Sequence, residues 1–348
     1  MSSHASHAVA VVQHSPIWLD RAATLERAVD LVREAARNGA RLIAFPEAFV
    51  AGYPIWVWKL RTSDNDIAME LYARLLSQAV DLSSDDLRPL RDAARSHEVT
   101  IVCGVNECDR SLSGTTLYNT VVLIGPDGRL LNRHRKLMPT NTERIVWAMG
   151  DASGLAVTET AGGKVGSLIC WENYMPLARF ALYAQGVEIH VAPTWDQGDR
   201  WVSSMRHIAS EGRCWVLGSG SAMTNDDIPD GTPGRDRIIA GDDGWINNGD
   251  SVIVNPEGEI VAGPLRQEAG ILYAECDPAV VARSRYWLDV AGHYGRPDIF
   301  RLQINREARL PIEVLAASPT IATSDSLHDD GNADGAIATK QDIPLSTG

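Results

Sequence analysis

GKVGSLICWENYMPLARFALYAQG, residues 163–186, joins a strand pattern to a helix pattern through a single cysteine. Val165, Leu168 and Ile169 form a short apolar run separated only by small residues, the pattern of a strand buried on both faces. The run ends at Cys170. Pro176 then opens a second pattern, in which Leu177, Phe180, Ala181 and Ala184 recur at helical spacing. Proline suits a first helical turn and Gly186 supplies the stop. The stretch therefore predicts Cys170 at the point where a strand gives way to a turn ahead of a helix. Backbone N–H groups gathered there favour a reactive thiolate. A lone cysteine is more commonly an inert core residue, and the stretch alone leaves both readings open.

Working outward, the same punctuation recurs. Strands are predicted at His7–His14, Leu42–Phe45, Val99–Val105, Leu117–Ile124, Arg129–Arg135, Val187–Ala192 and Cys214–Gly218, and in a late group at Ser251–Asn255, Glu259–Ala262 and Gly270–Cys276. Helices are predicted over Asp20–Arg37, Asp66–Gln78, Ser84–His97, Asp199–Arg213 and from Asp277 to about Trp287. Gly52–Lys59 reads as a loop or short helix. Ser221–Asp250, rich in Gly, Asp, Asn and Pro, reads as a long loop over a site. Strands that alternate with helices, then pair through turns, argue for a layered α/β protein. Residues 1–315 read as a single domain. Residues 316–348 hold no aromatic side chain and read as a disordered tail.

The totals narrow the function. A net charge of −13 argues against nucleic acid or an anionic membrane surface as partner. No apolar run reaches the ~18 residues of a membrane helix, and the N-terminus lacks the pattern of a signal peptide. Five scattered cysteines do not make a disulfide framework, and point to a reducing cytoplasm. Cys103 and Cys108 have no matching second pair, so no metal site is expected.

Three chemistry-bearing residues share one placement. Glu47 follows a predicted strand, and Lys136 and Cys170 each end one. Strand ends along one sheet edge are where α/β proteins build sites. Taken singly, Glu47 also reads as a solvated turn residue and Lys136 as a surface charge.

The segments around these residues carry a resemblance. FPEAFVAGYP around Glu47, HRKLMPTNTER around Lys136 and GSLICWENYMPLAR around Cys170 resemble the three signature segments of the nitrilase superfamily, most closely its nitrilase branch. HVAPTWDQGDRW, MRHIASEGRCWVLG and GDSVIVNPEGEIVAGP extend the likeness over roughly residues 7–300. The resemblance implies a four-layer α-β-β-α sandwich. It implies Cys170 as nucleophile, Glu47 as general base and acid, Lys136 as the positive group near developing charge, and Glu143 as a second, supporting glutamate. Glu172 lies within the motif without a catalytic role and reads as structural. The implied activity is hydrolysis of an organic nitrile to the acid and ammonia, with no cofactor; the alternative is a related hydrolase acting on an amide, a carbamoyl compound or cyanide. The resemblance also implies a homo-oligomer, as dimers or larger spirals, with the segment from about 292 assisting. Trp171, Trp195 and Trp201, joined by Tyr53 and Trp147, are candidates for an apolar substrate pocket, with plain packing as the alternative for each. His134 and His207 lack the context of a Cys–His hydrolase.

Overall fold

The computed structural model describes residues 6–110, 113–239 and 243–308. In chain order the first half builds β1 (His7–Gln13), α1 (Arg21–Arg37), β2 (Leu42–Ala44), α2 (Asn65–Gln78), α3 (Arg88–His97), β3 (Thr100–Cys108), β4 (Leu117–Ile124) and β5 (Leu130–Arg135). The second half builds β6 (Thr158–Thr160), β7 (Gly163–Ser167), α4 (Pro176–Tyr183), β8 (Ile189–Thr194), α5 (Asp199–Gly212), β9 (Trp215–Gly220) and β10 (Ala222–Thr224). It closes with α6 (Arg235–Ile238), β11 (Trp245–Val254), β12 (Ile260–Arg266), β13 (Gly270–Cys276) and α7 (Pro278–Arg285).

Two sheets form. One runs β13-β1-β2-β3-β4-β5; the other runs β10-β11-β9-β8-β7-β6, with β12 paired to β11. The central strands of both sheets, β1 to β4 and β8 and β9, are buried along nearly their whole length, so each sheet is covered on both faces. Val9, Val11, Leu42, Ala44 and Val102 of the first sheet meet Val165, Ile189, Val191 and Leu217 of the second in a shared inner core. On the outer face of the first sheet, Leu25, Ala28 and Val32 of α1 pack with Leu90 and Ala94 of α3. Ala178, Ala181 and Leu182 of α4 cover the second sheet together with Met205 and Ile208 of α5. The result is the expected α-β-β-α layering.

Local signals place the helices. Asp20 caps α1 by accepting from the Ala23 amide at 2.9 Å, and Pro176 occupies the first turn of α4. The structure differs from the sequence reading at three points. Strand β7 stops at Ser167, and Cys170 begins a 3-10 helix, Cys170–Tyr174, instead of ending a strand. Helix α3 starts at Arg88, because the Ser84 N–H closes a turn onto the Asp81 carbonyl and the Arg88 N–H closes another onto Asp85. Ser221–Asp250 is not one loop: it contains β10, α6 and the first six residues of β11. That part of β11, WINNGD, has no apolar alternation and includes a positive φ at both Gly249 and Asp250, so its strand period is hidden. The predicted tail, residues 316–348, lies outside the described residues. Among the described residues, no helix is long and apolar enough to cross a membrane.

Gly104 lets the Glu47 turn lie against β3. A Cβ there would stand 2.3 Å from the Pro46 carbonyl oxygen and 2.4 Å from the Ala48 amide nitrogen. Gly104→Ala should therefore lower the unfolding free energy by about 2 kcal/mol, measured by urea denaturation; an unchanged midpoint would show that the turn yields freely.

Candidate active site

Two pairs of strand ends converge from the two sheets. Glu47 lies three residues beyond β2, and Lys136 directly follows β5. Across the inner core, Cys170 lies three residues beyond β7, and Thr194 ends β8. The Lys136 amide donates to the Asn119 carbonyl oxygen at 2.8 Å, which continues the β4–β5 ladder and fixes where the lysine side chain departs.

All the charged groups here are buried: Glu47, Lys136 and Glu143 are each 1% exposed. Burial of an unpaired charge would be prohibitive, so pairing must account for them. Lys136 Nζ donates to Glu47 Oε1 at 2.8 Å and to Glu143 Oε2 at 2.7 Å. The Asn119 amide donates to Glu47 Oε1 at 2.7 Å, and the Trp195 backbone N–H donates to Glu47 Oε2 at 2.6 Å. Glu143 caps its own 3-10 helix, Asn141–Ile145, by accepting from the Thr140 amide at 2.6 Å, and also accepts from the Tyr53 hydroxyl at 2.5 Å.

Electrostatics separate the proton states. Burial raises the Glu47 carboxyl, Lys136 pulls it back, Glu143 raises it again, and the net direction is upward. Burial alone would lower Lys136, but the charges of Glu47, Cys170 and Glu143 more than reverse this and hold it as an ammonium. Burial, and then the Glu47 charge, push the Cys170 thiol well up, with a hydrogen bond to Thr194 acting the other way. The strand-end expectation of an environment that favours thiolate is therefore corrected. Loss of water thus outweighs the nearby ammonium in setting the direction for Cys170, which is toward the thiol.

Cys170 has a φ of +52°, a left-handed conformation uncommon in residues with a side chain. Its turn is clamped by Glu172. Glu172 Oε2 accepts from the Ile169 amide and Oε1 from the Leu137 amide, both at 2.6 Å. His134 Nε2 lies 3.0 Å from Oε2. One carboxylate thus ties the residue before the cysteine to the residue after Lys136. Despite burial, His134 and these amides hold Glu172 below the ordinary glutamate range. Asn173 adds a second clamp, its amide donating to the carbonyl oxygens of Leu168 and Cys170, each at 2.9 Å.

The aromatic candidates separate. Tyr53 stacks on Trp195 with centroids 4.4 Å apart and meets Trp147 edge-on at 5.4 Å. The Trp147 indole donates to Asn106 Oδ1 at 3.0 Å. These three stand beside the charged cluster through the Tyr53–Glu143 and Trp195–Glu47 bonds. Trp171 is 46% exposed and donates to Asp196 at 2.9 Å. Trp201 is buried in the α5 core against Tyr174, which corrects its placement as a pocket candidate: its position in α5 turns it to the outer layer. His207 lies on the exposed face of α5 and pairs with Glu211. Asn119, Thr194 and the Trp195 amide escape the sequence reading; a buried Asn at the centre of the apolar β4 is the one signal that marks any of them. Among the described residues, no group of three or more His, Cys, Asp or Glu could hold a metal ion.

The carbon-nitrogen hydrolase family model matches residues 8–286. The bifunctional nitrilase/nitrile hydratase NIT4A of Lupinus angustifolius is 40% identical over 325 residues, which cover 89% of this chain and 89% of that protein. An aliphatic nitrilase of Sinorhizobium fredii is 40% identical over 306 residues, covering 86% and 96%. Among solved structures, Saccharomyces cerevisiae Nit3, a member of branch 10 of the nitrilase superfamily, matches with a TM-score of 0.65 at 22% identity, covering 83% of this chain and 96% of its own. At that identity the likeness concerns the fold alone.

Removing the Glu172 clamp would orphan two amides and strip buried His134 of its partner. Glu172→Ala should cost about 3 kcal/mol of stability, and Glu172→Gln less, since one acceptor remains. Urea denaturation of both variants tests this, and wild-type stability in Glu172→Ala would show that the clamp holds nothing.

Proposed function

This chain belongs to the carbon-nitrogen hydrolase family, and we propose from that premise that it is a nitrilase, converting an organic nitrile and two waters to the carboxylic acid and ammonia. The similarity to nitrilases over nearly nine-tenths of the chain supports the substrate class. The observation that carries the chemistry is the buried Lys136 Nζ held between the Glu47 and Glu143 carboxylates, close to Cys170.

A nitrile carbon is a modest electrophile, so a sulfur nucleophile suits it better than a hydroxyl. Glu47 accepts the Cys170 proton as sulfur attacks, and passes it to the nitrile nitrogen. The products of this step are an S–C bond, an N–H bond and a covalent thioimidate. Glu47, ionised again, relays one water proton to nitrogen as the water oxygen adds to the thioimidate carbon, and relays the second, from the new hydroxyl, as C=O forms, the C–N bond breaks and ammonia leaves the acyl-enzyme. A second water adds to the resulting acyl-enzyme, and the thiol returns to Cys170 as the acid departs. Lys136 has three N–H donors, of which two serve the carboxylates. Its third donor, in a site from which water is excluded, stabilises the charge that develops on nitrogen or oxygen. Glu143 fixes the ammonium, and Tyr53, Trp147 and Trp195 wall the space for the apolar part of the substrate; Trp171 contributes at the exposed rim.

We further propose that the chain acts as a homo-oligomer. Tyr294, Ile299 and Phe300 leave large apolar surfaces exposed in the segment that follows 292. The five free, buried cysteines suit the reducing cytoplasm.

A panel of aliphatic, aromatic and arylacetonitriles, offered beside the matching amides with acid, amide and ammonia all measured, tests the activity. Release of ammonia from the amides alone would end the nitrilase reading. Cys170→Ala should lower kcat by about 10⁴-fold or more, and residual turnover near the wild-type rate would exclude the covalent route. The pH profile has a defined sign. Glu47 must be ionised to accept the thiol proton, and its carboxyl is raised above 4.5, so the acid limb of kcat/KM should lie above 4.5. Glu143→Gln removes a charge that raises Glu47, and should move that limb to lower pH while lowering the rate; an unmoved limb would assign it to another group.

A further inference from the structure

A cavity of about 440 Å³ opens between the 3-10 helix Ile55–Trp58, the start of α2 and the 3-10 helix Asn141–Ile145. None of Glu47, Lys136, Glu143 or Cys170 lines it. Its volume falls within the range of small-molecule sites, about 300–1,000 Å³. Trp56, Leu60, Tyr72 and Val146 supply apolar walls. Two polar side chains line it. Thr142 Oγ1 is buried and has no hydrogen-bond partner, although it lines the cavity. A buried hydroxyl in that state is costly, and rotation of the Thr142 side chain toward the cavity would let an acceptor on a ligand satisfy it. Arg61 also lines the cavity, and its own ion pair is weak: Nε stands 3.5 Å from Asp64 Oδ2. The Asp64 charge is met more closely by Arg237, at 2.5 Å. The terminal amines of Arg61 take no part in that ion pair, and their planar fork matches a carboxylate.

We propose that this cavity is a second ligand site, binding a small amphipathic monocarboxylate: an aliphatic or aryl body against the aromatic wall, and a carboxylate received by Arg61 and the Thr142 hydroxyl. The site is wired to the charged cluster. Thr142 immediately precedes Glu143 on one 3-10 helix. Trp56 shares a turn with Trp58, whose indole donates to the Tyr53 hydroxyl at 2.9 Å. Tyr53 in turn donates to Glu143. A ligand that touches both helices therefore bears on the position of the carboxylate that holds Lys136. The acid formed by a nitrilase belongs to this chemical class, and the extension to feedback by product rests on the nitrilase reading.

Titration calorimetry of the full chain with phenylacetate and with hexanoate tests the site without using turnover. Wild type should bind at least one of them in the millimolar range or tighter. Arg61→Ala should weaken that binding about tenfold, and Met69→Trp, which fills the cavity from an exposed position on α2, should abolish it. Both substitutions lie at exposed positions, and an unchanged denaturation midpoint confirms that each variant is folded. No binding to wild type, or equal affinity in wild type and both variants, overturns the proposal. Because the readout is binding, a protein that failed to hydrolyse nitriles would still pass or fail this test on its own.

Discussion

The constraint on which the centre of this molecule depends is the burial of one ammonium between two carboxylates. Lys136 has no water to solvate it, and neither do Glu47 and Glu143. Each charge is tolerable only because the others are in place. The local charge is also not balanced by the three groups alone: two carboxylates face one ammonium. Part of the excess is met by dipoles, through the Asn119 amide and the Trp195 and Thr140 backbone N–H groups. The rest appears as the raised Glu47 carboxyl. The raised carboxyl that the proposed base calls for thus follows from an imbalance that the fold imposes.

The layered architecture makes that arrangement affordable. Glu47 and Lys136 come from the first sheet, Cys170 and the Trp195 amide from the second, and the inner core between the sheets is apolar. The two sheets are linked at the site itself by polar bonds, Trp195 to Glu47 and Leu137 to Glu172. Sheet packing therefore sets the nucleophile-to-base geometry directly. The Glu172 clamp reads in the same way. It spans from the turn that carries the cysteine to the strand end that carries the lysine, and it holds a left-handed residue that would otherwise relax.

The sequence carried the outline of the site and much less of its solvation. Glu47, Lys136 and Cys170 were legible as strand-end residues, and the resemblance of their segments joined them, because short motifs encode local backbone and side chain together. The bonds to Glu47 from Asn119 and the Trp195 amide were not legible. A backbone donor leaves no mark on composition, and partners 72 and 148 residues away share no local pattern. The stretch around Cys170 left the thiolate and inert readings open for a related reason: helix and turn signals are local, while desolvation, which pushes the thiol up, depends on everything packed around the sulfur. The same holds for Ser221–Asp250, where turn-forming residues concealed β10 and the first six residues of β11. Its polar strand pairs within the sheet, and its Asn247 side chain holds the Trp195 carbonyl at 2.6 Å.

Tyr53 belongs to two systems at once. Its ring forms part of an aromatic wall, and its hydroxyl is one of the bonds that locate Glu143. On the proposed reading of that wall as the substrate pocket, substrate range and proton chemistry do not vary independently in this protein. A larger or smaller pocket cannot be obtained at that position without disturbing the charge balance behind it, so diversification of such a scaffold is channelled toward Trp147, Trp195 and the outer rim, where shape can change while the ion cluster stays intact.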